Sequence, residues 1–232
     1  MNITLTTTLG QLVAQFPLLT PLLEDWGLDF CCKGERSLEQ ASKEKGLDGR
    51  TILTLILRTA LKSQKATQEL LGAVVENPAE YETSKLIYHI KYTHHAYLRQ
   101  VLPEIQTLSS KVAAAHQMST HFLWDLETEI RTLAQELLEH LQTEEKDLFP
   151  FLESTIDQDN RAGLELLLLK LQTEHEAAGE ALVRIRTLTN DFSIPDWACL
   201  TYRKFMVTLA EFEQDMHRHV HLENSVLFKR FL

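Results

Sequence analysis

Apolar positions recur three and four residues apart over long stretches of this chain, and no run of alternating apolar and polar residues persists as it would in a strand. The pattern predicts an all-helical protein. Four long helical stretches stand out, at about 84–108, 119–149, 160–189 and 197–228, each close to the length of a bundle helix. Residues 1–70 read differently, with short helices closely punctuated by Pro17, Pro21, Gly27, Gly34, Gly46 and Gly49. There, Ser37 with Gln40 gives a capping-box signal, and Asp48 is placed to cap the helix that begins TILTLILRTALK. Between the two regions, GAVVENPAEYETS supplies the breakers of a linker at 71–83. The expected architecture is a small helical domain at 1–70, a linker, and a four-helix bundle at 84–232.

The apolar stripes of the bundle helices are interrupted by polar residues that stay in phase with them. In the last helix the stripe runs Phe205, Leu209, Phe212, Met216, His219, Glu223 and Val226. His217 and His221 lie two residues from His219, about 200° around the helix, and are expected to face outward. The second helix repeats the pattern with Leu123, Leu126, Ile130, Leu133, Leu137, His140, Glu144, Leu148 and Phe151. Both segments, HLQTEEKDLF and HVHLENSVLF, match H-x3-E-x3-L-F, an internal repeat centred on polar core residues. The third helix places His175 on the stripe of Leu164, Leu168, Leu171, Ala178, Leu182 and Ile185. In the first helix two stripes compete, Ile87-Ile90-His94-Tyr97-Val101 and Tyr88-Tyr92-His95-Leu98-Leu102, and periodicity does not choose between His94 and His95.

Inward histidines and glutamates are costly to bury unpaired, because an ionised carboxylate loses its hydration. Divalent cations resolve this: imidazole suits iron or zinc, and a carboxylate can bridge two metals. The order His-x-x-x-Glu and the richness in histidine favour a hemerythrin-like site over the Glu-x-x-His sites of ferritin-like oxidases. A single H-x3-E pair would be an ordinary solvated face, but two copies in phase with apolar stripes are not. His89, His116, His121, His217 and His221 are read as surface or supporting histidines. Glu136 and Glu174 lie where they could orient imidazoles, with solvated charge as the equal alternative.

Net charge narrows the partners. A formal charge of −10 argues against nucleic acid, which needs a basic surface. No stretch approaches the ~20 uninterrupted apolar residues of a membrane span, and the N-terminus lacks a basic region followed by an apolar one, so a cytoplasmic protein is expected. Three cysteines do not make a disulfide framework. Cys31 and Cys32, in GLDFCCKGERS, are adjacent, so a bond between them would be strained and easily reduced. Lys33 is expected to favour a thiolate there. Two small buried hydrophobes are the bland alternative for this pair, and Cys199 reads as a core residue.

Taken together, DFCC at 29–32, HHxxLRxxLP at 94–103, HxxxEExxLFP at 140–150, EHExAGE at 174–180 and HxxLEN at 219–224 resemble the RIC proteins, for repair of iron centres, of the ScdA/YtfE/DnrN type. The resemblance spans essentially the whole chain and departs at Lys33 and Lys229, where the family often has glycine and proline. It implies a hemerythrin-like bundle holding two non-haem iron ions per chain, carboxylate- or oxo-bridged, with His95, His140, Glu144, His175, His219 and Glu223 as ligands. It selects His95 over His94 by the spacing to Leu102-Pro103, and it assigns Cys31 and Cys32 to redox, nitrosyl or iron transfer. The implied function is repair of iron–sulfur proteins damaged by oxidative or nitrosative stress, by a cytoplasmic homodimer that meets nitric oxide or oxygen species. The rivals are a hemerythrin-like carrier or sensor of oxygen or nitric oxide, and an enzyme turning over nitric oxide or nitrite.

Overall fold

The computed structural model describes residues 3–70, 76–116, 122–154 and 158–232, without the side chains of 61–70 and 158–159. Among the described residues there are helices and no strands, the nearest approach being one isolated bridge between Thr8 and Ser37. Residues 71–75 of the expected linker, the start of the second expected helix at 119–121, and with it His121, lie outside the described residues. Close packing divides the chain into two units, one of Met1–Leu86 with His217–Leu232, the other of Ile87–Met216.

In the first unit, α1 (Leu9–Gln15), α2 (Thr20–Asp25) and α3 (Leu38–Glu44) are short, and α4 (Gly49–Leu70) is longer. The capping box of Ser37 and Gln40 opens α3 as expected, and Asp48 caps α4 through the Thr51 amide and hydroxyl. A second capping box, Thr8 with Gln11, opens α1. The two N-caps are tied by the bridge: Leu9 N donates to Arg36 O and Leu38 N to Thr7 O. Gly27 and Gly46 end α2 and α3 with φ of +63° and +68°, a conformation that costs glycine little. Leu9, Leu12, Leu19, Leu23, Phe30, Leu38, Ile52 and Ile56 make the core, and α1 also packs on residues Leu222–Leu227.

The second unit is the body of a four-helix bundle. Helix α5 is built of Thr83–His89, a π-helical Ile90–His95 and Ala96–Ala115, the first few of these residues belonging to the first unit. It runs past the expected end at 108 because Ser109 bonds back to Gln106 O while Val112 and Ala113 extend the buried stripe. Helix α6 comprises Phe122–Thr143, a π-helical Glu144–Leu148 and Phe149–Glu153; α7 is Gln158–Leu188. Helix α8 is Leu200–His221 followed by π-helical Leu222–Leu227, and its last turns belong to the first unit.

Each π segment inserts one residue into the helical period and rotates the turns beyond it. In α5 this lets both stripes contribute: Ile87, Ile90, His94 and Val101 are buried from one, His95, Leu98 and Leu102 from the other, and Tyr88 and Tyr92 are exposed. In α6 the stripe likewise moves from Glu144 and Leu148 to Phe149 and Leu152. Only α7, with every stripe residue from Leu164 to Ile185 buried, runs without such a step.

Candidate metal centre

Within the second unit the polar residues of three helices converge. Glu144, at the start of the π segment of α6, has no exposed surface. Its Oε2 lies 3.3 Å from His95 Nε2 and its Oε1 3.4 Å from His140 Nε2. His175 Nε2, from α7, is 2.9 Å from His140 Nε2. His140, Glu144 and His175 thus present ligand atoms within 4.8 Å of one another.

The outer nitrogens decide which way the rings present their lone pairs. His95 Nδ1 meets Glu145 Oε1 at 2.9 Å, and His140 Nδ1 meets Glu174 Oε2 at 2.7 Å. A carboxylate partner places the imidazole proton on Nδ1, which leaves Nε2 of both rings as an acceptor turned inward. Two nitrogen lone pairs then face a buried carboxylate, an arrangement of like partial charges that a cation between them turns into attraction. The donor set therefore fits a borderline metal such as iron. Glu174 is held below the usual carboxylate range, first by its hydrogen bond from His140. Glu145 is also lowered: burial pushes it up, but hydrogen bonds from Arg99 and His95 outweigh that. Phe149 stacks on His95 with ring centroids 5.5 Å apart.

Of the two candidates for orienting imidazoles, Glu174 makes such a bond and Glu136 is exposed. Glu145 went unnoticed in the sequence, although the doubled EE of HLQTEEKD was its signal. Both histidines of the first helix are buried, not one: His95 reaches the carboxylates, while His94 Nδ1 bonds Asp215 Oδ1 at 3.0 Å.

In the first unit, His219 and Glu223 are both buried, one turn apart, with Nε2 and Oε1 3.0 Å from each other. His217 is half-buried and bonds Glu24 at 3.1 Å. His221 corrects the expectation that it faces outward to solvent. It points away from His219, but that side of α8 is covered by the DFCC turn, so its ring is buried and meets Phe30 edge-on at 5.9 Å. Burial drives its pKa down to about 4 and keeps the ring neutral near pH 7.

The thiols of Cys31 and Cys32 are not disulfide-bonded, with Sγ atoms 3.7 Å apart. Cys31 is not tuned toward thiolate as Lys33 suggested. Its hydrogen bond with Cys32, its burial and the charges of Cys32 and Asp29 push it well above the ordinary thiol value. Cys199 is exposed rather than in the core, and its bond to His116 Nε2 at 3.8 Å lowers its pKa.

Comparison with known proteins agrees with this geometry. The family described as Hemerythrin HHE cation binding domain matches residues 86–231, and the ScdA_N family, Domain of Unknown function (DUF542), matches 5–60. The iron-sulfur cluster repair protein YtfE of Dickeya chrysanthemi is 32% identical over 97% of this chain and 96% of its own. The probable iron-sulfur cluster repair protein of Haemophilus influenzae is 31% identical with the same coverage, and the iron-sulfur cluster repair protein ScdA of Staphylococcus epidermidis is 27% identical over 95% and 96%.

Proposed function

The chain belongs to the hemerythrin HHE cation-binding family, and from that membership and the donor set we propose that it is a non-haem di-iron protein that repairs damaged iron–sulfur clusters. The observation that carries this reading is the buried carboxylate of Glu144 facing the inward nitrogens of His95 and His140. The repeat H-x3-E-x3-L-F supports a matching role for His219 and Glu223, so that the full ligand set is His95, His140, Glu144, His175, His219 and Glu223. Glu144 and Glu223 would hold the iron through their carboxylates and offset its charge.

When bound, the iron pair supplies an exchangeable position for nitric oxide or an oxygen species and a store of labile iron. The protein's part is to hold the ligands. Glu145 and Glu174 keep the protons of His95 and His140 on the outer nitrogens, and the leucines of the stripes exclude water. Cys31 and Cys32 are the proposed acceptors of a nitrosyl group, electrons or iron. The partners are iron–sulfur proteins under oxidative or nitrosative stress, met in the cytoplasm by a homodimer, as the resemblance implies. No helix among the described residues is long and apolar enough to cross a membrane.

The test is iron content and repair together. Anaerobically purified wild type should carry about two irons per chain, as bundle di-iron proteins do. His140→Ala and His219→Ala should carry less, and His217→Ala as much as wild type. Wild type should reactivate a nitric-oxide-damaged cluster enzyme and His140→Ala should not. Equal repair by an iron-depleted variant would refute the proposal, and reversible gas binding without repair would favour a carrier or sensor.

A further inference from the structure

The DFCC turn holds a group of donors that the bundle centre does not use. Cys31 Sγ, Cys32 Sγ and an Asp29 carboxylate oxygen all lie within 4.8 Å of one another. The sulfurs are 3.7 Å apart, and Cys31 Sγ is 3.3 Å from Asp29 Oδ1. Two thiolates bound to one tetrahedral ion at ~2.3 Å would sit about 3.8 Å apart, and a thiolate and a carboxylate oxygen about 3.6 Å apart. The reduced pair is therefore spaced as a chelate, far from the ~2.05 Å of a disulfide.

The turn is also held in that shape. Asp29 Oδ1 accepts the amides of Cys32 at 2.9 Å and Lys33 at 3.3 Å, which fixes the carboxylate against the thiols. Gly34 leaves no room for a side chain: a Cβ there would lie 2.6 Å from the Phe30 carbonyl and 2.8 Å from Ser225 Oγ. Asn224 Nδ2 donates to the Cys31 carbonyl at 3.2 Å. A turn-capping role accounts for the carboxylate but does not call for two sulfurs 3.7 Å apart beside it.

We propose that Asp29, Cys31 and Cys32 form a separate mononuclear site for a thiophilic divalent cation, with at least one position left for an incoming or departing ligand. A proton leaves each thiol as the cation binds, and no oxidant or reductant is needed. Asn224 follows Glu223 directly, so this site is bonded to the turn that carries a proposed ligand of the bundle centre. The cargo is ferrous iron in transit to or from a damaged cluster, an identification that rests on the repair reading.

Cobalt(II) is the probe, titrated anaerobically into reduced full-length Cys199→Ser protein whose bundle is already loaded with iron. The expected result is one further equivalent per chain with a near-ultraviolet sulfur-to-cobalt band. Cys31→Ser and Cys32→Ser should each abolish the band with bundle iron and helicity unchanged. Asp29→Asn, which keeps an acceptor for the turn amides, should weaken binding about tenfold or more, at least the scale of losing an outer partner of a metal ligand. Ferrous iron in excess should displace the cobalt, which such a site holds the more tightly of the two. No band in the parent, or a band that survives both serine variants, overturns the site, and failure of ferrous iron to compete overturns the cargo. An intact band on protein whose bundle never takes up iron sinks the repair reading and leaves the thiol site standing.

Discussion

The two copies of H-x3-E-x3-L-F share their histidine, glutamate, leucine and phenylalanine, yet their surroundings differ in a way that separates what the repeat preserves from what it lends out. At 140–149 and at 219–228 the histidine and glutamate are buried and the glutamate sits at a π-helical step. Outside the shared positions they part. In the first copy Gln142, Lys146 and Asp147 are exposed; in the second their counterparts His221 and Val226 are buried and Ser225 is half-covered. The residue after the glutamate diverges too. Glu145 turns to His95, whereas Asn224 turns to the Cys31 carbonyl. The repeat thus keeps its His–Glu face and core, while its other face serves the imidazole of a neighbouring helix in one copy and the thiol turn in the other.

The largest effect should come from removing the cover of the second copy. Phe30 is almost fully buried and meets both His217 and His221 edge-on. Phe30→Ala should destabilise the protein by about 3–5 kcal/mol, the usual range for such a cavity. Hydrogen exchange should rise across 219–228 and stay unchanged across 140–149. Equal loosening of both copies would mean that the cover does not distinguish them.

The ligand faces, by contrast, should behave alike. Replacing either carboxylate with an apolar side chain, Glu144→Leu or Glu223→Leu, leaves the facing imidazoles beside a hydrocarbon. In chelator-treated protein each change should destabilise by about 1–3 kcal/mol, because one member of a buried polar pair is removed and the other is left unsatisfied. In iron-loaded protein each should lose the stability that bound metal adds. Urea unfolding with and without chelator reads the two losses separately. A variant that keeps its metal increment would show that its copy is not part of the centre.

The diverged position separates the copies next. Glu145→Gln should weaken iron binding about 10–100-fold, as loss of a partner that orients a ligating imidazole does. Asn224→Ala should leave bundle iron affinity unchanged and cost about 1 kcal/mol, one ordinary hydrogen bond. Iron competition with a graded chelator distinguishes them, and equal losses would erase the distinction.

The same contrast governs how far this arrangement was legible in the sequence. The helical class, the bundle, the caps at Ser37 and Asp48 and the inward phase of His140, His175 and His219 are written in local periodicity, which a sequence states directly. His94 and His95 could not be separated by period because the π segment Ile90–His95 inserts a residue and both side chains are buried. His221 was misjudged for a different reason. Its angle around the helix was right, but what covers that face comes from residues nearly two hundred positions earlier in the chain. Cys199 failed likewise: its position at a helix start suggested the core, and the packing leaves it exposed beside His116.

The smallest effect is a matter of rate, and it asks whether cover governs the thiols as it governs the histidines. Cys31 lies under cover with its proton held by Cys32, by burial and by the nearby acidic charge, so its thiolate appears only above the ordinary value near 9. Cys199 is exposed, and the hydrogen bond with His116 moves its pKa below that value. Alkylation proceeds through the thiolate, so the sign is opposite at the two sites. As pH falls from 9 toward 7, Cys199 should lose its reactivity later than Cys31 does. Mass-spectrometric mapping of a limited iodoacetamide pulse on metal-free, reduced protein should show Cys199 labelled first at every pH in that range. His116→Ala should shift the Cys199 profile toward higher pH and leave Cys31 where it was. Early labelling of Cys31 would mean that the DFCC turn opens readily, and the burial of His221 beneath it would then be no more durable than the turn itself.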